Sequence, residues 1–500
     1  MQILVAEQVR AWDQFTIQHE PVTSLNLMER AATALFEWLM QSGYKGRKFQ
    51  VFCGKGNNGG DGLVIARLLA LSGHQVTVFI MEYGHMGTED FQTNLVRLHE
   101  TNAVINYISL PENLHKGSPD DVIIDALLGT GLNRPADGLT GAIIEHINQS
   151  GCEIIAVDIP SGLFCDISSI GNIIVHATHT ISFQCYKLAF LMPENALFTG
   201  RVHILPIGLH PAFIATIDTP YELVEPGLIQ SIIRRRNQFA NKGNFGFAAL
   251  VAGSKGMMGA AVLSARACLR SGVGKLTCHI PSIGYTIMQT AVPEAMSSTE
   301  QQNVEYLEYL PSLEGYSAVG IGPGLGQHTS TAGLLKQVFQ QSQRVLIDAD
   351  GLNMLAKHKE WYNELPLHTV ITPHVREFER LFGKTSDDFN RLQLARQQAE
   401  ALNITIVLKG HFTAIITPGG KVWFNSTGNP GMATGGSGDV LTGIITSFLA
   451  QGYETEQAAI AGVYLHGLAG DIAASYHSQH SLIASDITEH LGKAFLQLIS

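Results

Sequence analysis

Short apolar runs alternate along the chain with segments in which apolar positions recur every three or four residues. The first pattern predicts buried strands and the second amphipathic helices, and their alternation is the mark of an α/β protein. In the first part, Leu25, Met28, Ala32, Leu35, Phe36 and Leu39 line one face of a helix that opens behind Ser24 as its cap. Strands are predicted at 49–53, 75–81, 122–125, 154–158, 179–183 and 202–206. Between Pro211 and Arg236 the pattern loosens around Pro211, Pro220 and Pro226 and the basic run Arg234-Arg235-Arg236, which reads as a linker. A second series follows, with strands at 247–252, 275–280, 318–321, 345–348, 369–372 and 404–409. Hairpin-like segments then run through Phe424. Helices are predicted near 259–271 and at 435–450, 456–476 and 485–498.

Length alone, 500 residues, suggests about three domains. The pattern instead gives two α/β units, residues 1–215 and 225–498. Lys and Arg total 32 against 43 Asp and Glu, a balance of −11, which argues against a nucleic-acid coating protein. Apolar residues at 45% supply large cores and exclude bulk disorder. The six cysteines are scattered without a CxxC pair, as expected in a reducing compartment, and no HExxH or comparable zinc spacing occurs. The first residues lack a basic segment ahead of a long apolar run, and no run of 18 apolar residues follows. The expectation is a cytoplasmic protein without nucleic-acid or membrane partners.

Glycine is the outlier, 51 of 500 against a usual ~7%, and its clusters mark the chemistry. Directly after the strand at 49–53 comes Gly54-Lys55-Gly56-Asn57-Asn58-Gly59-Gly60-Asp61-Gly62. Such a loop between strand and helix lets backbone N–H groups reach a phosphate. It matches neither GxGxxG nor GxxxxGK[ST], and a plain tight turn would explain glycines but not the paired asparagines and Asp61. Two further strand ends carry Asp125-Ala126-Leu127-Leu128-Gly129-Thr130-Gly131 and Asp158-Ile159-Pro160-Ser161-Gly162. Ligands of open parallel sheets sit at carboxyl ends of strands, so the three clusters are predicted to converge on one pocket.

These three motifs resemble the YjeF N-terminal domain, the NAD(P)HX epimerase family, over about residues 1–210. The resemblance implies a Rossmann-like three-layer domain that interconverts R and S forms of NADH or NADPH hydrated at nicotinamide C6. It implies that Asn57, Asn58, Gly59, Gly60 and Asp61, with Gly129, Thr130, Gly131, Leu132, Asn133, Arg134 and Pro135, hold the nucleotide. Asn58, Asp125 and Ser161 would bind a potassium ion, and Asp158 would face the hydrated ring as acid or base. The sequence departs from the family after the third motif, reading Phe164-Cys165-Asp166 where an Asp-Thr-Gly often stands.

Near the C-terminus lies Thr434-Gly435-Gly436-Ser437-Gly438-Asp439-Val440-Leu441-Thr442-Gly443. A Gly-Ser-Gly-Asp turn opening an apolar helix aims several N–H groups at an anion, and the adjacent carboxylate can take a proton from an attacking hydroxyl. This turn resembles that of the ribokinase-like superfamily. Gly322-Pro323-Gly324-Leu325-Gly326, Asp348-Ala349-Asp350-Gly351, Thr372-Pro373-His374 and Lys409-Gly410-His411-Phe412-Thr413 follow the order of the ADP-dependent NAD(P)H-hydrate dehydratases. The resemblance implies that Lys409, Gly410, His411, Phe412, Thr413 and Gly438 hold ADP with Mg2+. Ala260, Gly324, His374 and Asp439 would contact the hydrate, with Asp439 as base. Simpler roles stand beside these: His374 as a helix cap, Asp348 and Asp350 as strand-end caps, Lys409 as a surface lysine at a strand end.

Both halves point to one chemistry, a bifunctional repair of NAD(P)H-hydrates with release of AMP and phosphate. The rival is a vitamin or sugar kinase of ribokinase-like fold joined to a non-catalytic binding module. A kinase leaves a stable phosphate ester and a dehydratase releases phosphate. Ribokinase-like cores often assemble, so a homo-oligomer is expected.

Overall fold

The computed structural model describes residues 1–82, 84–114, 117–300 and 303–499. The chain divides into two compact units, residues 2–219 and, in the main, residues 220 onward. The break falls inside the stretch read as a linker. That stretch is also more ordered than expected, because 221–223 form a strand and Pro226–Ile232 a helix of the second unit. Proline at the first turn of that helix forfeits no hydrogen bond, which is why a proline-rich run could hide it.

In the first unit seven strands, β1 (Phe49–Cys53), β2 (Val76–Met81), β3 (Val104–Ile108), β4 (Val122–Ala126), β5 (Glu153–Val157), β6 (His179–Phe183) and β7 (Arg201–Leu205), form a sheet ordered β3-β2-β1-β4-β5-β6-β7. Every pairing is parallel. β1 and β4 are buried throughout, as expected of strands covered on both faces. β3 had no strand prediction: three of its five residues are exposed, so no apolar run announces it. The helix Ser24–Gln41 buries Leu27, Met28, Ala31, Ala32, Leu35 and Leu39. Its cap is Thr23, whose hydroxyl accepts from Asn26 N–H, and not Ser24, which donates instead to Asp90 at 2.6 Å. An additional helix, Ala6–His19, precedes it. The chain leaves β1 toward β2 and later returns to β4 on β1's other side, which opens a crevice between the carboxyl ends of β1 and β4.

The second unit holds β8 (Tyr221–Leu223), β9 (Phe247–Val251), β10 (Lys275–Ile280), β11 (Met296–Thr299), β12 (Ala318–Ile321), β13 (Arg344–Ile347), β14 (His368–Ile371), β15 (Thr405–Leu408), β16 (Ala414–Ile416) and β17 (Val422–Phe424). They form one sheet ordered β11-β10-β9-β12-β13-β14-β15-β16-β17-β8. Pairing is parallel from β11 to β15 and antiparallel across β15, β16 and β17. The helix Ser437–Ala450 is buried along nearly its whole length against Met258–Arg270. A side chain at Gly443 would strike Ser264 O at 2.1 Å, so the helices touch backbone to backbone there. Thr455–His477 is long and apolar enough to cross a membrane, a feature the sequence reading passed over; 67% of its apolar window is buried within the protein.

Candidate active sites in the two units

In the first unit the predicted convergence occurs. A cavity of about 1010 Å³ lies at the β1/β4 crevice, walled by Asn57, Asn58 and Asp61 after β1, Gly129 to Arg134 after β4, and Asp158 after β5. Gly59, Gly60 and Pro135 lie outside this wall. The two glycines serve packing: a Cβ on Gly59 would fall 1.8 Å from Gly54 O, and one on Gly60 2.7 Å from Met28 Sδ. Pro135 is exposed. The helix Asn57–Leu71 begins inside the glycine cluster itself, so its first N–H groups open onto the cavity.

Below the cavity, Asp125 and Ser161 are fully buried. Ser161 donates its hydroxyl to Asp125 Oδ1 at 2.6 Å and its backbone N–H to Oδ2 at 2.8 Å. Asn58 donates its amide to Leu128 O at 3.0 Å, and Leu128 N–H donates to Ser161 Oγ at 2.9 Å. The Asn58 Oδ1 atom is buried with no hydrogen-bond partner. Burial pushes the Asp125 carboxyl up to about 6 against the opposing hydrogen bonds from Ser161.

Asp158 sits at φ +69°, a left-handed conformation that a non-glycine residue adopts only when its surroundings enforce it. Its backbone N–H donates to Ile181 O at 2.8 Å, and its side chain meets Lys187, with no exposed surface, whose Nζ donates to Asp158 Oδ1 at 2.7 Å and also to Ser182 Oγ. Burial disfavours the ammonium, but Asp158 and nearby thiols hold its proton above the ordinary lysine value. Two more carboxyls wall the same cavity. Asp13 is pushed up to about 7 by burial and by the Asp158 charge, and Asp61 is raised well above the carboxylate range by burial, then by Asp158. Asp13 and Lys187 had no sequence signal. Neither stands in a glycine motif, and Asp13 lies on a helix whose mean pattern is polar.

In the second unit Asp348 is 1% exposed at the end of β13. It caps no helix with its side chain; it takes Lys409 Nζ at 2.9 Å and the Thr442 hydroxyl at 2.8 Å. Lys409, with 21% of its side chain exposed, is therefore an ion-pair partner and not a free surface lysine. Asp350 accepts from Gly326 N–H at 2.9 Å, tying down the glycine loop after β12. That loop passes Asp348 so closely that a Cβ on Gly322 would meet Asp348 O at 1.8 Å, and it carries Gly324 against Ala260. His374 pairs in parallel with Lys409 and is the N-cap of Val375–Phe382, its Nδ1 accepting from Arg376 and Glu377 N–H. The capping role is real, and Nε2 stays 3.5 Å from Glu377 Oε1. Gly410 and His411 are exposed, and Thr413 closes their turn by donating to Gly410 O.

Gly436 at φ +91° turns the chain into the helix Ser437–Ala450. Gly438 then lies over the Lys409–Asp348 pair, its Cβ position 3.4 Å from Lys409 Nζ. Asp439 is next, pushed up to about 7 by burial and then by Asp348, against Lys409. Glu377 and Thr442, which stand in the motifs of His374 and Asp439, complete the cluster with the buried His466, within 3.3 Å of Ser437 Oγ, which lies in no motif.

Comparison with known proteins decides between repair enzyme and kinase. The family described as NAD(P)H-hydrate dehydratase matches residues 248–493, and that described as YjeF-related protein N-terminus matches residues 24–189. The chain is 35% identical to the bifunctional NAD(P)H-hydrate repair enzyme of Moorella thermoacetica, over 98% of this chain and 96% of the relative. The Escherichia coli enzyme of the same description is 32% identical over 96% and 92%. The chain belongs to the bifunctional NAD(P)H-hydrate repair enzyme family. Among solved structures, a ribokinase-like superfamily protein of Enterococcus faecalis aligns at TM-score 0.51 and 30% identity, covering 56% of this chain and 98% of its own. An ADP/ATP-dependent NAD(P)H-hydrate dehydratase of Bacillus subtilis, co-crystallized with ATP/Mg2+ and soaked with CoA, aligns at 0.50 and 30%, covering 55% and 98%. Repair-enzyme relatives thus span both units, which leaves no place for a kinase joined to an unrelated module.

Proposed function

We propose that this bifunctional NAD(P)H-hydrate repair enzyme epimerises R and S hydrates in its first unit and dehydrates the S form in its second. The observation that carries the division is that each unit holds its own carboxylate near its own lysine: Asp158 is paired with the buried Lys187, and Asp439 lies in the field of the half-buried Lys409, whose ion pair is with Asp348.

In the first unit the two epimers differ only at C6. Interconversion requires a bond at C6 to open and close from the other face, with a proton given and taken there. Asp158 is the group that exchanges that proton, and Lys187 holds it in place. Asp13, near its midpoint at neutral pH, is a second proton store on the cavity wall. Asn58, Asp125 and Ser161 fit a potassium ion: the set is all oxygen, and Asn58 Oδ1 is a buried acceptor lacking any donor. Bound there, the cation supplies fixed positive charge behind the loop 129–135.

In the second unit ADP lies along Lys409 to Thr413 and Gly438, with Ala260, Gly324 and His374 around the hydrate. Mg2+ would be held by the nucleotide's own phosphates, whose charge it would offset, since Asp348 is already engaged by Lys409 and Thr442. Asp439 takes the C6 hydroxyl proton as that oxygen attacks the β-phosphorus and AMP departs. The helix N–H groups meet the charge on the transferring phosphoryl group. Phosphate is then expelled from C6 with loss of a proton from C5, restoring NAD(P)H. Hydroxide is a poor leaving group and phosphate a good one, which is why a kinase-like site serves a dehydration.

The deciding assay is a mixed R and S hydrate with ADP. Both epimers vanish with one AMP and one phosphate each. Consumption of S alone, with R persisting at its spontaneous rate, removes the epimerase assignment.

A further inference from the structure

In the first unit the sheet order β2-β1-β4-β5 puts β2 and β5 on opposite sides of the β1/β4 crevice. With the hydrated nicotinamide at Asp158 after β5 and the pyrophosphate at the β1/β4 crevice, the adenosine half extends over β2. In parallel α/β dinucleotide sites that strand ends on the group that reads the ribose, an acidic residue for a 2′-hydroxyl or a cation for a 2′-phosphate. Here β2 ends at Met81 and the next residue is Glu82, while Lys55 stands two residues beyond β1.

These side chains meet. Lys55 Nζ donates to Glu82 Oε1 and, at 2.6 Å, to His85 O. Glu82 also accepts from Gly84 N–H at 3.0 Å. Lys55 is only 8% exposed, whereas Glu82 is 33% exposed, so the lysine is anchored and the carboxylate is the partner able to swing outward. Beside them a side cavity of about 330 Å³ is lined by Lys55, Glu82, His85, Met86, Phe91 and Tyr107. Lys55, His85 and Met86 also wall the main cavity, so the two spaces join at this ion pair.

We propose that Lys55 and Glu82 together read the 2′ position of the adenosine ribose and set the preference between NADHX and NADPHX in the epimerase site. With the pair intact, Glu82 accepts from a 2′-hydroxyl. A 2′-phosphate instead takes the Lys55 ammonium, and Glu82 turns away toward solvent. The arrangement admits both hydrates, and the strength of one ion pair weights the choice. It rests on reading the first unit as the hydrate epimerase.

The test compares full-length wild type, Glu82→Gln and Lys55→Met by the ratio of kcat/KM for epimerisation of NADPHX over NADHX. Gain or loss of one charge-assisted hydrogen bond moves such a ratio by about tenfold. Glu82→Gln raises the ratio by that factor and Lys55→Met lowers it. Calorimetric titration of each protein with adenosine 2′,5′-bisphosphate and with 5′-AMP gives the same comparison without turnover. Binding at the second unit cancels between wild type and variant. If Lys55→Met does not fold, Glu82→Gln, altered at a partly exposed position, decides alone. An unchanged ratio in folded Glu82→Gln, in turnover and in titration, overturns the proposal. If wild type fails to epimerise either hydrate while the titration ratio still shifts, the epimerase reading falls and the ribose reading stands.

Discussion

Lys187 Nζ lies 2.7 Å from Asp158 Oδ1, and the lysine has no solvent-exposed surface. A buried ammonium depends on its counter-charge, so the two residues form one unit, in folding as in chemistry. Asp158→Ala leaves the charge uncompensated and costs about 3–5 kcal/mol, read as a lowered denaturation midpoint of the first unit. Asp158→Asn also removes the counter-charge but loses less stability than Asp158→Ala, because it keeps a hydrogen-bond acceptor for Lys187 and asparagine tolerates the positive φ. That variant folds and loses at least about 100-fold in epimerisation, the low end for removal of an acid–base group. Its dehydration of purified S hydrate stays at the wild-type rate.

Asp439 gives a pH signature. With its carboxyl at about 7, kcat/KM for dehydration rises through neutral pH as the base ionises. Stability runs the other way. The folded state binds the Asp439 proton more tightly than the unfolded chain does. Its contribution is therefore full below the ordinary carboxylate value of 3.8 and is lost as pH rises through about 7. Asp439→Asn thus abolishes dehydration yet raises Tm at pH 8 relative to wild type. A variant less stable than wild type at pH 8 would contradict this account.

Potassium has its own readout. Exchanging potassium for tetramethylammonium lowers both the epimerisation rate and the Tm of the first unit. At a hundredfold excess over Kd the stabilisation by a bound ion is about 2.7 kcal/mol. In Asn58→Ala the Tm no longer responds to potassium.

Two glycines of one helix separate binding from packing. A methyl at Gly438 meets nothing nearer than Lys409 Nζ at 3.4 Å, so Gly438→Ala folds, and its effect falls on the KM for ADP. A methyl at Gly443 meets Ser264 O at 2.1 Å, and forcing it in costs at least about 1–3 kcal/mol. Chemical denaturation distinguishes the two variants.

The sheets were largely legible because central parallel strands are continuous apolar runs. The edge strands β3 and β11 were not, since three of five β3 residues are exposed and Met296 of β11 lies half in solvent. The motifs carried Asp125 and Asp158 at strand ends, and Asn58 and Asp439 in the first turns of their helices. Missing were the partners that tune them. Lys187 follows β6 with no glycine beside it, Asp13 lies on a polar helix, and Thr442, though inside its motif, looks like an ordinary residue of an apolar helix. Their importance comes from the neighbour each meets across the fold, which local sequence does not encode. Gly59 and Gly60 stand in a motif read as an anion cradle, yet their missing side chains serve helix packing.

That packing bears on affinity. A glycine-rich segment is ordinarily the softest part of a chain, and a ligand that orders it gives up free energy in doing so. Around residues 54–62 the absent side chains instead let backbone press on backbone and on its neighbours, with a Cβ on Gly54 falling 2.0 Å from Leu127 O and one on Gly62 2.6 Å from Ala126 Cβ. The first turn of the helix Asn57–Leu71 is thereby moulded in place before any nucleotide arrives. The epimerase cavity is a preset die, and its ligand binds without first having to freeze the loop.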